Sequence, residues 1–126
     1  MEQSILTGTK KVLGLDSTDT SFDYDVLTFI NAAFSTLCDD LGVGPPVFVV
    51  EDESATWQDF ISDDDAMLSE CRTYVFLRVK MLFDPPTTSY LINAYKDQLE
   101  EHVWRISRRR EAISYTDPDP PVVADA

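Results

Sequence analysis

Few residues in this chain have the type and spacing that chemistry needs. There is no GxxxxGK phosphate loop, no GxGxxG turn and no HExxH helix. One histidine, His102, would have to serve any Ser-His-Asp arrangement alone, and it falls in an apolar helical stripe where a core or boundary role fits it better. Cys38 and Cys71 lie far apart on apolar helical faces and read as buried, reduced thiols. With a single histidine they are too few ligands for a metal centre. Residues 16–27 have the acid density of a calcium loop, but Ser21 replaces the turn glycine and Leu27 the closing glutamate. Asp63, Asp64 and Asp65 precede a helix, where acids meet the positive end of the dipole. Nothing here argues for catalysis, a cofactor or a bound metal.

Two features argue instead for a surface that meets another molecule. Arg105, Arg108, Arg109 and Arg110 place four of the ten bases within six residues of an otherwise acidic protein. Cations suit a helix C-terminus, at about 0.3–1 kcal/mol each. Three adjacent arginines point around the helix, however, and cannot all serve one carbonyl end. Docking to an acidic partner, or to the acidic half of a neighbouring copy, competes with plain capping. Trp104 is the second feature. It projects from the far side of its helix, among Asn93, Asp97 and Glu100, and tryptophan is enriched in interface hot spots. The alternative is that the tail or the 47–60 segment folds back over it.

The elements that must position these residues are helical. Residues 4–13 form a short helix stopped by Gly14. Asp23 is the expected cap, and Phe22 the staple, of a one-sided helix to Leu41, with Val26, Ile30, Phe34 and Leu37 inward and Thr28, Asn31, Ser35 and Asp39 outward. Val47 to Val50 is a short β-favouring run, readable as a loop edge, half a hairpin or an intersubunit strand. Thr56 to Phe60 reads as one capped turn.

The helix from Ala66 to Phe83 is apolar on nearly every side, including Leu82, so it must be central or share a face with a second subunit. Pro85 and Pro86 push Asp84 out of helical conformation and make a stiff corner. The last helix, capped by Thr87, Thr88 or Ser89, runs to about Glu111 with a core stripe of Leu91, Ala94, Tyr95, Leu99, His102, Val103 and Ile106. The fold class is therefore all-α: a small bundle of about four helices over residues 1–112, with a flexible, acidic, proline-rich tail at 113–126.

Charge limits the partners. The chain of 126 residues has a net charge of −13, and residues 1–66 hold 14 of the 23 acids but only two of the bases. Such a surface repels nucleic acid and argues against an ordinary DNA- or RNA-binding module, while leaving room for a protein past which DNA slides without sticking. It also leaves open an acidic inhibitor that imitates DNA and occupies a nucleic-acid enzyme. No apolar run is long enough to span a membrane and the first residues lack signal-peptide order, so the cytoplasm is the expected place of synthesis and residence.

The order of signals resembles the head-to-tail connector, or adaptor, family of long-tailed bacteriophages. The similar stretches are ILTGTKKVLGLD, FDYDVLTFINAAFSTLCDDLGVG, TWQDF and YVFLRVKMLFDPPTTSY leading to WR, together covering roughly residues 3–106. The resemblance implies a non-enzymatic virion protein at the head–tail interface. It further implies a homo-oligomeric ring, typically of twelve copies, seated under the portal. Such a ring extends the channel for genomic DNA without binding it specifically, and offers a platform to a head-closure or tail-completion protein. Carried over, it assigns partner contacts to Trp104, Arg105, Arg108, Arg109 and Arg110.

Overall fold

The computed structural model describes residues 3–115. Five helices follow in order: α1 (Ile5–Val12), α2 (Asp23–Ser35), α3 (Trp57–Phe60), α4 (Asp65–Phe83) and α5 (Ser89–Tyr115). Among the described residues there is no β-strand, only one antiparallel bridge between Ser4 and Thr56. The all-α expectation holds. Residues 116–126 of the expected tail lie outside the described residues, and α5 runs to Tyr115 rather than ending near Glu111.

Local chemistry sets most boundaries. Ser4 caps α1 by accepting the Thr7 amide hydrogen bond, and Gly14 turns the chain at φ +79°. The α2 helix loosens at its end into a five-residue π turn, Thr36–Asp40, where the Leu41 amide donates to the Thr36 carbonyl. Gly42 then takes φ +66°. Thr56 and Asp59 form a capping box, each side chain accepting from the other's amide. Asp84 breaks away at φ −141°, ψ 70°, and across the Pro85–Pro86 corner Thr88 accepts the Leu91 amide to start α5.

The start of α2 differs from the expected cap. Phe22, which has no capping side chain, occupies that position and Asp23 is already helical. The reason is Lys10, which α1 buries to 3% exposure. A buried ammonium needs an anion, and Asp23 Oδ1 lies 2.8 Å from Nζ, an ion pair not aligned as a hydrogen bond. Lys10 also donates to the Ser17 carbonyl, so one buried cation holds the α1–α2 loop at two points. Phe22 meets Phe83 edge-on at 5.5 Å and ties α2 to the end of α4.

The α4 helix is the axis of the fold and packs against α1, α2, α3 and α5. Met67, Leu68, Cys71, Tyr74, Val75 and Val79 are buried, and Phe76 meets the buried Trp57 edge-on. The central alternative therefore accounts for its apolar surface, which needs no second subunit along most of its length. The four helices around it bury side chains projecting in different directions. Phe34, Phe48, Trp57 and Phe60 form the aromatic part of the core.

Candidate interaction surface

The end of α5 is fastened to the body by arginines. Arg109 donates to Asp64 through Nε (3.2 Å) and Nη2 (2.8 Å), and the same carboxylate caps α4 by accepting the Met67 amide. The Arg109 fork, with the Met67 amide behind it, holds the Asp64 carboxyl below the usual carboxylate range. Arg110 Nε donates to the Gly42 carbonyl at 2.8 Å. Arg105 pairs with Glu101 on its own helix and lies 3.9 Å from Glu70 of α4. Glu70 also meets His102 Nδ1 at 2.8 Å, so His102 is a boundary residue paired with a carboxylate.

Arg108 is placed differently. Its guanidinium lies 5.0 Å from the centre of the Trp104 ring, and Trp104 is 58% exposed. A cation over an indole partly shields it from water. Together they form one wall of a shallow groove between the start of α4 and the end of α5. Ala66 and Ala112 leave it open, and Glu70, Arg105 and Arg109 supply its polar lining. Of the five residues assigned to partner contact, Trp104 and Arg108 form the outward pair, while Arg105, Arg109 and Arg110 also hold the protomer together.

A second exposed apolar surface was not singled out in the sequence. At the corner between α4 and α5, Leu82 is 46% exposed, Leu91 44% and Tyr90 80%. Leu82 and Leu91 follow helical periodicity and read as core, yet they lie near the tip of the α4–α5 hairpin. From Tyr90 to Trp104 the helix rises by about 21 Å, so tip and groove are separate surfaces.

Of the acids in the 16–27 stretch, Asp16 and Asp19 are used locally and Asp23 pairs with Lys10. Asp16 accepts from the amide and hydroxyl of Thr18, Asp19 accepts from the Ser21 amide, and both carboxyls are pulled below their ordinary range by those amides first. Among the described residues no group of three or more His, Cys, Asp or Glu side chains is placed to hold a metal ion. None of the described helices is long and apolar enough to cross a membrane.

The helical protomer leaves apolar side chains exposed at the hairpin tip and beside the α4–α5 groove, surfaces of the kind that assembly proteins use. The family model described as phage connector protein matches residues 5–112, nearly the whole described chain. The chain belongs to that family, and its role is that of a phage connector, a structural component of the virion. No curated protein and no solved structure matches it.

Proposed function

We propose that copies of this protein form a ring under the portal, extend the DNA channel and present a platform to a head-closure or tail-completion protein. Twelve copies is the number that the family resemblance implies. The observation that carries the reading is that apolar side chains are exposed at two separate places on the α4–α5 hairpin, Leu82–Tyr90–Leu91 at its tip and Trp104 beside Arg108 in the groove, in addition to Tyr24, Val47 and Val49 elsewhere. Heterologous contacts, the kind that close into rings, need two different patches on each copy. The acid-rich first half supports a channel wall to which DNA phosphates do not adhere.

The test mixes purified protein with its portal and images the product by negative stain. Rings of protein added to one end of the portal are expected. A double variant, Trp104→Ala with Leu91→Ser, should abolish them while the protein stays folded. Recruitment of the double variant at the wild-type level would remove both surfaces from the interface, and the absence of any portal-bound wild-type protein would overturn the reading.

A further inference from the structure

We propose that residues 47–51 are an open β-edge that takes an extended, basic segment of a different protein as an added strand. The stretch lies between the bends at Gly44–Pro46 and at Asp52, and no turn or bend interrupts it. Its side chains alternate as those of a strand laid on a core. Phe48 packs against Phe34 and Phe60, and Val50 is buried, whereas Val47 is 74% exposed, Val49 57%, and Glu51 is open to solvent too. In extended chain the backbone groups of successive residues also alternate, pointing to opposite edges. Asn31 takes both groups of Val50, so the edge shared by Phe48 and Val50 faces α2. The opposite edge carries the N–H and C=O groups of Val47, Val49 and Glu51. None of these has a hydrogen-bond partner among the described residues. A row of unpaired backbone groups on extended chain is a template for another strand.

Charge decides what that strand is. Glu51 and Glu53 are exposed and form neither an ion pair nor a side-chain hydrogen bond among the described residues, and Asp52 between them bonds only Ser54. An added strand sets its own side chains about 5 Å from those of Val47, Val49 and Glu51. It therefore fits best with apolar or β-branched residues opposite the valines and a lysine or arginine opposite Glu51.

A second copy does not supply this. All ten bases of the chain lie in helices, two in α1, three in α4 and five in α5, so none sits on extended backbone. The same segment of a second copy, paired antiparallel about Val49, would set Glu51 against Val47 and leave every acid unmatched. The occupant is a different chain. This edge is a third surface, away from the α4–α5 hairpin, and the inference stands or falls whether or not copies close into a ring.

The test uses the isolated full-length protein and a synthetic peptide, Lys-Thr-Lys-Thr-Val-Thr-Val, blocked at both ends. Paired antiparallel, the peptide sets its second lysine against Glu51 and its valines against Val49 and Val47. Amide hydrogen exchange is followed by NMR. With peptide at about ten times its dissociation constant, exchange at Val47, Val49 and Glu51 should slow about tenfold, while Phe48 and Val50 stay unchanged. The peptide Glu-Thr-Glu-Thr-Val-Thr-Val should not bind. Val49→Pro removes an amide that nothing in the protomer uses, and should weaken the lysine peptide about tenfold. Glu51→Lys with Glu53→Lys, at positions that hold nothing in the protomer, should abolish its binding and melt like wild type. No binding of the lysine peptide at about 1 mM, slowing without the alternation, or equal binding by the double-lysine variant would overturn the proposal. So would slowing that rises with protein concentration in the absence of peptide, since the occupant would then be a second copy.

Discussion

The Asp64 carboxylate ties the start of α4 to the end of α5. It accepts the Met67 amide at 3.1 Å and thereby starts α4, and it receives the two-pronged grip of Arg109, 45 residues later, near the end of α5. One side chain thus caps one helix and anchors the other. Because both partners favour its ionised form, the folded-state pKa lies below the unfolded value of about 3.9. A depressed carboxyl contributes stability that is fully present above the unfolded pKa and is lost as pH falls through the folded one. Asp64→Ala should lower stability at neutral pH by about 1–2 kcal/mol, the usual worth of an N-cap. Asp64→Asn keeps a capping oxygen and should cost less. Urea midpoints at pH 7 and near pH 2.5 provide the check, and both deficits should shrink in acid.

Asn31 holds the 47–50 segment as a strand partner would. Its Oδ1 accepts the Val50 amide at 2.7 Å and its Nδ2 donates to the Val50 carbonyl at 3.0 Å. Val50 is buried, so both backbone groups would lose their partners in Asn31→Ala, at a cost of about 1–3 kcal/mol for unsatisfied buried groups. Asn31→Asp keeps the acceptor but turns a carboxylate toward the Val50 carbonyl, and should be no better. Chemical denaturation measures both, and amide exchange at Val50 should accelerate in each.

The helices were legible because apolar periodicity and caps are local signals. Ser4, the Thr56–Asp59 box, the aspartates before α4 and the Pro85–Pro86 corner all act within four residues of their targets. Partners distant in sequence were not legible. Asn31 shares a helical face with solvated Thr28 and Ser35, and only the fold brings Val50 to it. The arginine run looked like a docking patch because neither Asp64 nor Gly42 is near it in sequence. Leu82 and Leu91 obey core periodicity but sit at a hairpin tip with little left to cover them. Arg78 gave no signal either. It donates to the hydroxyls of Thr36 and Tyr74 and links α4 to the π turn.

Three glycines with positive φ separate backbone strain from side-chain collision. At Gly14, φ +79°, an added Cβ meets nothing within 4 Å. Gly14→Ala should therefore cost only the left-handed penalty, about 1–2 kcal/mol. At Gly44, φ +74°, the added Cβ would lie 2.5 Å from Cε1 of Phe60, a ring packed between Phe34 and Phe48. The ring cannot retreat, so Gly44→Ala should cost about 3 kcal/mol or more. At Gly42 the obstacle is the Arg110 side chain, which can move and surrender its bond to the Gly42 carbonyl. Thermal melts should rank the losses Gly44, then Gly42, then Gly14.

Both cysteines are free, and their settings differ. Burial pushes the Cys71 thiol up to about 12, so at pH 8 only about one in ten thousand is ionised. Burial also raises Cys38, though that side chain is only half-buried. With Ellman's reagent the native protein should release slow colour from Cys38 alone, and guanidinium should expose Cys71. Rapid native reaction at Cys71, located by mass spectrometry after alkylation, would show that α4 opens far more readily than its central packing allows.

The arginines should divide into two groups when reversed one at a time. Arg109→Glu sets two carboxylates against each other at the start of α4 and should lower the melting temperature before any partner is added. Arg108→Glu removes only the cation above Trp104 and should leave the melting temperature nearly unchanged. If the groove is a connector contact, Arg108→Glu should still weaken recruitment to the portal several-fold, as should Trp104→Ala. Reversing residues 108–110 together would mix these effects, because Arg110 also holds the Gly42 carbonyl. Melting curves and portal binding measured side by side on the single variants give the answer. A destabilised Arg108→Glu protein would show that Arg108 also holds the protomer together, and one that binds like wild type would remove it from the interface.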